Sequence, residues 1–256
     1  VDFTLGKAPQ VTKLPELHRS LGPHPFVPTA ASTRDEVCAE IFAIQSTGLA
    51  RRIKQVRAKT VVLGLSGGLD STLALLVARE ALLQCDDQET ELLTLTMPVF
   101  GTTSHTLDNA KALAKSLGVA LREVSIKDAV ELHFKDIGHS IEARDVTFEN
   151  AQARERTQIL MDVANQTNGF VLGTGDLSES ALGWCTFNGD HMSMYHVNAG
   201  VPKTLVHYLI SWCASQKSFG KAADVLKSIL DTPISPELLP PDKDGKIAQK
   251  TEESVG

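Results

Sequence analysis

Residues 60–72, Thr60-Val61-Val62-Leu63-Gly64-Leu65-Ser66-Gly67-Gly68-Leu69-Asp70-Ser71-Thr72, constrain this chain more than any other stretch. The β-branched and aliphatic run from Val61 to Leu65 predicts a short buried strand. It ends in Ser66-Gly67-Gly68, where adjacent glycines let the backbone turn sharply and approach a ligand closely. Residues 73–83 then predict a helix that is apolar on nearly all sides. Strand, glycine turn and helix start aim backbone N–H groups and a positive helix end at one point. Such a point is an anion site, and phosphate is its usual occupant.

Three loops of this kind are distinguishable. A Walker loop needs G-x-x-x-x-G-K-[ST], and no lysine lies between Gly64 and Thr72. The dinucleotide fingerprint G-x-G-x-x-G is absent as well. Gly64-Leu65-Ser66-Gly67-Gly68 does match G-x-S-x-G, the nucleophile elbow of α/β-hydrolases. The longer string Ser66 to Ser71, S-G-G-x-D-S, resembles the pyrophosphate loop of the ATP pyrophosphatase families, which cleave ATP between its α- and β-phosphates.

Composition narrows the partners. A chain of 256 residues, 42% hydrophobic and 22% charged, suits one large α/β domain or one domain with appendages. The net charge of -6, without a basic block, argues against nucleic acid. No apolar run approaches membrane-spanning length, and no signal peptide opens the chain. Cys38, Cys85, Cys185 and Cys213 are widely spaced, which predicts reduced thiols in a cytoplasmic protein rather than a disulfide frame or zinc site. A start at Val1 instead of Met predicts an excised fragment or processed product.

Residues 1–33 carry Pro9, Pro15, Pro23, Pro25 and Pro28 and read as a linker or extended arm. Ser32 or Thr33 is expected to cap a first helix running to Arg57. Strands at 92–97, 119–126 and 170–173 then alternate with helices at 107–117, 127–134 and 150–165, with a loop at 138–147. That alternation predicts a doubly wound parallel sheet covered on both faces. Pro202 opens a helix through Trp212. The run His191-Met192-Ser193-Met194-Tyr195-His196 is assigned to a lid or an interface. Residues 240–256 read as a disordered or truncated tail, so the domain is set at 34–239.

After the fourth strand, Gly173-Thr174-Gly175-Asp176-Leu177-Ser178-Glu179 supplies two glycines and two carboxylates at a strand end. Strand carboxyl ends line the ligand crevice of a doubly wound sheet, so this turn should face the Ser66 loop. Asp70 and Glu179 could then share a magnesium ion, which takes oxygen ligands; alone, Asp70 would only cap its helix and Glu179 would be solvated. With these pieces assembled, residues 24–239 resemble the synthetase domain of bacterial glutamine-dependent NAD synthetase. The matching strings are His24 to Pro28, Gly64 to Ser71, Asp145 to Asn150, Gly173 to Thr186 and Asn198 to Leu205.

The resemblance implies a three-layer fold of the adenine nucleotide alpha hydrolase-like, Rossmann-like type. It implies ATP-dependent amidation of deamido-NAD to NAD through an acyl-adenylate, with AMP and pyrophosphate released. ATP would be held by Gly64, Leu65, Ser66, Gly67, Gly68, Leu69, Asp70 and Ser71, with Thr174 and Lys203. Deamido-NAD would meet Asn150, Glu179, Trp184, Cys185, Thr186, Phe187 and Asp190. Magnesium would sit on Asp70 and Glu179, giving Glu179 two roles. Trp184 reads equally as a buried core residue, and Asp190 as a turn cap. No covalent catalytic residue is implied. The family's glutaminase domain, which supplies ammonia, and its C-terminal part with a late lysine are not in this sequence. A homo-oligomer is expected. Two rivals stand beside this reading: an α/β-hydrolase using Ser66, with Asp176 or Asp190 and His191 or His207, and a non-catalytic nucleotide-binding fragment.

Overall fold

The computed structural model describes residues 24–85 and 89–233, together with Gly22 and Leu238. The chain alternates helix and strand: α1 (Ala31–Val56), β1 (Thr60–Gly64), α2 (Leu69–Leu83), β2 (Glu91–Thr96), α3 (Ser104–Leu117), β3 (Ala120–Glu123) and α4 (Lys127–Ile137). There follow α5 (Val146–Gln166), β4 (Phe170–Gly173), α6 (Leu177–Leu182), β5 (Tyr195–His196), α7 (Lys203–Ser215), a 3-10 turn (Lys217–Ala222) and α8 (Ala223–Leu230). The five strands form one sheet in the order β3-β2-β1-β4-β5, every pair parallel. Chain order reverses between β1 and β4, so the crevice of this doubly wound sheet opens at their carboxyl ends.

Period-two alternation along β1 and β4 divides the core. Val61, Leu63 and Leu65, with Phe170 and Leu172, join α1, α2, α3, α7 and α8 on one face. Val62 and Val171 join Leu95, α4 and α5 on the other. This explains why α2 is apolar nearly all round: its residues from Leu73 to Ala78 have no exposed surface, enclosed by β1, α1 and α7.

Boundaries moved where local signals met neighbours. Neither Ser32 nor Thr33 caps α1; the helix starts at Ala31, with Ala30 at its N-cap and no side-chain cap bond. The chain has already turned at the Val27 N–H to His24 carbonyl bond, so the winding begins ahead of both hydroxyls. β3 ends at Glu123 rather than near residue 126, because its partner β2 stops at Thr96 before Pro98, which has no N–H to offer. The histidine–methionine run is in part the sheet's fifth strand rather than a lid: Tyr195 and His196 pair with Leu172 and Gly173. The 3-10 turn and α8 extend the fold beyond the elements expected from sequence. The proposed tail lies outside the described residues, as does most of the proposed arm.

Gly67 shows what the loop's glycines are for. Its φ is +88°, and a Cβ placed there would lie 2.2 Å from the Thr106 carbonyl oxygen, in the first turn of α3. A Gly67→Ala chain should therefore lose roughly 1–3 kcal/mol or more of unfolding free energy. Urea denaturation reads this; a midpoint equal to that of the unchanged chain would refute it.

Candidate functional site

A cleft of about 410 Å³ opens at the carboxyl ends of β1, β2 and β4, walled by α5 and by the segment after α6. From the first loop it is lined by Gly64, Leu65, Ser66, Asp70 and Ser71; from the second, by Thr174 and Glu179; from α7, by Lys203. Asn150, Trp184, Cys185, Thr186 and Asp190 line it as well. Gly67, Gly68 and Leu69 do not: Gly67 packs under α3, and Leu69 is buried in the core. Phe187 is also outside the lining, 72% exposed and stacked on His191 with ring centroids 5.4 Å apart.

The Ser66 loop is closed on itself. Ser71 Oγ accepts from the Ser66 N–H at 3.3 Å and donates to the Gly68 carbonyl at 3.2 Å. The Gly68 N–H in turn meets Ser66 Oγ at 3.2 Å. The Gly68 amide, expected to meet an anion, is thus engaged within the turn, as is the amide of Ser66. The start of α2, a helix of 15 residues, has no side-chain cap at Gly68, and Asp70 stands in its first turn at the positive end of the dipole.

The turn after β4 brings a residue that sequence reading did not assign to the metal. Asp176 has no exposed surface and caps α6: it accepts from the Glu179 N–H at 2.9 Å, while Glu179 Oε2 accepts from the Asp176 N–H at 3.2 Å. This capping box orients both carboxylates. Lys203 Nζ completes the group, 2.6 Å from Asp70 Oδ2, 2.8 Å from Asp176 Oδ2 and 3.0 Å from Glu179 Oε1. Carboxylate oxygens of Asp70, Asp176 and Glu179 lie within 4.8 Å of one another, and Asp70 Oδ1 is buried with no hydrogen-bond partner. The D-x-x-E spacing of a capping box was the sequence signal that Asp176 and Glu179 act together.

Three carboxylates crowd one ammonium. Burial, together with the like charges of Glu179 and Asp176, pushes Asp70 up to about 7 against the pull of Lys203. Burial and Asp176 raise Glu179 as well. Burial works against the Lys203 ammonium, but Asp70, Glu179 and Asp176 outweigh it and hold the lysine above its usual range. The site therefore carries a surplus of negative charge that a cation would relieve.

Behind the carboxylates, Asn198 is fully buried and touches both turns: its Nδ2 donates to the Asp70 and Thr174 carbonyls, each at 3.0 Å. On the far wall, Asn150 Oδ1 accepts from Thr186 Oγ1 at 2.8 Å, and Asp190 Oδ1 accepts from the Thr186 N–H at 2.8 Å. Asp190 therefore does hold a turn. Glu149 and Arg156 line the cleft unanticipated, both from α5. Trp184 is half-buried at the wall rather than in the core.

The hydrolase arrangement is not assembled. The Ser66 hydroxyl bonds to Ser71 Oγ at 3.1 Å and to the Gly68 N–H. His191 Nδ1 is engaged by the Thr186 carbonyl, and the exposed His207 ring packs edge-on to Tyr208. Asp176 is committed to its cap and to Lys203. All four cysteines are unpaired, and only Cys185 is exposed; burial, then Asp190 and Glu179, raise its thiol above the ordinary range. Among the described residues, no helix is long and apolar enough to cross a membrane.

A glycine-turn loop and an acid–lysine cluster at the switch point of a doubly wound sheet define an α/β domain of the nucleotide-binding fold. The chain belongs to the NAD synthase family, whose model matches residues 41–249. It is 46% identical over 246 residues to the glutamine-dependent NAD(+) synthetase of Mycobacterium leprae, covering 94% of this chain and 36% of that protein. The chain thus spans about a third of that relative's length. Among solved structures, it resembles glutamine-dependent NAD+ synthetase from Acinetobacter baumannii in complex with ADP, at TM-score 0.66 and 28% identity, over 77% of this chain and 36% of that one. It also resembles NMN synthetase from Francisella tularensis, at TM-score 0.69 and 25% identity, over 85% and 80% of the two chains.

Proposed function

We propose that this chain carries the synthetase chemistry of its family: ATP-dependent amidation of deamido-NAD to NAD. The observation that carries the reading is the cluster of Asp70, Asp176, Glu179 and Lys203 beside the Ser66 loop, within one cleft. Deamido-NAD is preferred to the mononucleotide because identity is 46% to a glutamine-dependent NAD(+) synthetase and 25% to an NMN synthetase.

In the first step a nicotinate carboxylate oxygen attacks the α-phosphorus of ATP, and the bond to the pyrophosphate oxygen breaks. In the second, ammonia attacks the acyl carbon, loses a proton, and AMP leaves. Neither step needs a protein nucleophile; both need positioning and charge neutralisation. Ser66, Ser71 and the Gly67 and Gly68 amides would hold the departing pyrophosphate, with Ser66, Ser71 and the Gly68 N–H exchanging their bonds within the turn for bonds to it. Leu69 and Asp70 would border the nucleotide. Gly64 and Leu65 would border the nucleotide, and Thr174 would contact it from the second turn. Lys203 would place its ammonium by the phosphates. Asp70, Glu179 and Asp176 suit magnesium: all are hard oxygen donors, and the buried Asp70 Oδ1 is without a partner. When bound, the ion would neutralise phosphate charge. Asn150, Glu179, Trp184, Cys185, Thr186, Phe187 and Asp190 would receive deamido-NAD, with Trp184 offering a stacking face at the wall.

We place the protein in the cytoplasm, supported by its unpaired cysteines. We also infer a homo-oligomer, supported by the exposure of Leu132, Ile137 and Val146 on α4 and α5. In the full-length relatives a glutaminase domain would supply the ammonia.

Mass-spectrometric detection of NAD and AMP from ATP, deamido-NAD and ammonium tests the reading; absence of both would overturn it. The nitrogen source gives a sharper prediction. Three cysteines are buried and the fourth has a raised thiol, so none is an activated nucleophile toward glutamine. The 256-residue chain should use ammonium, faster as rising pH frees more ammonia, and should make no NAD from glutamine. Equal turnover with both sources would refute this.

A further inference from the structure

We propose that Asn198 is a positioning residue that locks the two ligand-facing turns together, and that Gln45 of α1 sets its orientation. The proposal rests on the functional reading above. The β1–β4 ladder ends at the Leu63–Leu172 pair. Beyond it the first loop leaves toward α2 and the second toward α6, so no ladder bond continues across the switch point. Asn198 bridges that gap. Its two Nδ2 hydrogens are both committed, one to the Asp70 carbonyl and one to the Thr174 carbonyl, at 3.0 Å each. Its Oδ1 accepts from Gln45 Nε2 at 3.1 Å, and Gln45 Nε2 also donates to the Val197 carbonyl at 2.7 Å.

The direction of this relay is forced. Two backbone carbonyls can be met only by an amide NH2, and a flipped Asn198 would turn its oxygen on both. Gln45 opposes the flip by presenting a donor where Asn198 presents its oxygen. Asn198 and Gln45 are 0% and 8% exposed, so water does not substitute for either. The same segment feeds the site: the Val201 N–H bonds the Asn198 carbonyl at 2.8 Å, the Val201 carbonyl accepts from the Leu177 N–H at the start of α6, and Lys203 opens α7 two residues later. One buried amide thereby ties the turn of Asp70, the turn of Asp176 and Glu179, and the segment that delivers Lys203. Its side chain meets two backbone carbonyls and the Gln45 amide, and no reacting atom. Its effect would be on where the acidic oxygens stand relative to one another.

The test compares Asn198→Ala, Gln45→Met and Thr94→Val in the full chain. Thr94 is a control: buried, with its hydroxyl donating to the Ala120 carbonyl in the sheet, away from the cluster. Thermal unfolding is recorded for each, and all other measurements are made well below the lowest midpoint. Calorimetry measures the Kd of Mg2+ with α,β-methylene ATP, and AMP formation gives KM and kcat. Asn198→Ala should weaken the analogue and raise KM for ATP roughly tenfold or more, with kcat lowered and a smaller rise in KM for deamido-NAD, which Glu179 also meets, as expected when ligands shift by about an ångström. Gln45→Met should move the same parameters less, and Thr94→Val only the unfolding midpoint. Folded Asn198→Ala and Gln45→Met chains with unchanged ATP parameters would overturn the proposal, since a merely structural amide would cost stability alone. Should Asn198→Ala not fold, Gln45→Met decides by the same criterion. An unchanged chain that neither binds the analogue nor forms AMP would remove the functional reading, and this proposal with it.

Discussion

Replacing Asp70 by asparagine should abolish ATP-dependent AMP formation while leaving the thermal midpoint unchanged or higher. The two side chains are nearly the same shape, so packing at the start of α2 is kept. What is lost is a negative oxygen from a set of three, and a hard divalent cation depends on that charge. What is gained follows from the crowding: Asp70, Asp176 and Glu179 surround a single ammonium, and one fewer carboxylate lowers their mutual repulsion. A drop in kcat of about a hundredfold or more, with the midpoint held, is the expected pair of results. Unchanged turnover at limiting magnesium would remove Asp70 from the ligand set; a collapsed midpoint would make it a structural residue.

The same carboxyl gives a pH dependence whose sign can be worked out. Asp70 has a folded value of about 7 against an ordinary 3.8, first because it is buried. Between those values the folded chain holds a proton that the unfolded chain has released, so stability falls as pH rises through this window and levels off above about 7. Asp70→Asn should flatten that slope, which strengthens the reading if seen in urea titrations from pH 5 to 8. Magnesium competes with the proton, so its affinity should weaken as pH drops below about 7.

The strands and helices that sequence made legible are those whose surroundings leave one choice. β1, β4 and the Leu73 to Ala78 stretch of α2 are enclosed, and their runs of aliphatic residues admit no amphipathic alternative. Residues 170–173 form β4 with the bounds expected. The short pieces were not legible. β5 has two residues, held by the β4 edge and by His196 bonding the His191 carbonyl, and no periodicity can be read from two positions. In the site, Asp70 and Glu179 were legible as neighbours because strand carboxyl ends share one crevice. Gly67 was read as a phosphate-facing glycine, yet the carbonyl of Thr106 above it is what forbids a side chain. Asn198 was legible only as part of a matching string. Its role arises from three segments crossing, and the pairs Gln45–Asn198 and Asp70–Asn198 are more than 100 residues apart in the chain.

Lys203 should be the most destabilising single position in the cluster. Lys203→Met keeps much of the aliphatic stem but removes the one cation that, among the described residues, pairs with these three carboxylates, one of them without exposed surface. Breaking a buried ion pair by removing one partner costs about 3–5 kcal/mol, and the 18% exposure of Lys203 places this case toward the lower figure. The loss depends on pH in a direct way. Without the ammonium, which pulls both down, the folded-state values of Asp70 and Glu179 rise further above their unfolded ones. Groups raised on folding contribute stability at low pH and lose it as pH rises, so Lys203→Met should be nearest to the unchanged chain at about pH 5 and furthest from it at about pH 8. A cation that enters the cluster should substitute for the ammonium, so millimolar magnesium should recover part of the midpoint at pH 8 and sodium at equal ionic strength should not. Urea denaturation at both pH values, with and without magnesium, reads all of this. A Lys203→Met chain as stable as the original at pH 8 would mean that the three acids do not share one charge-balanced site. A deficit indifferent to pH and magnesium would mean that Lys203 is held by packing rather than by charge.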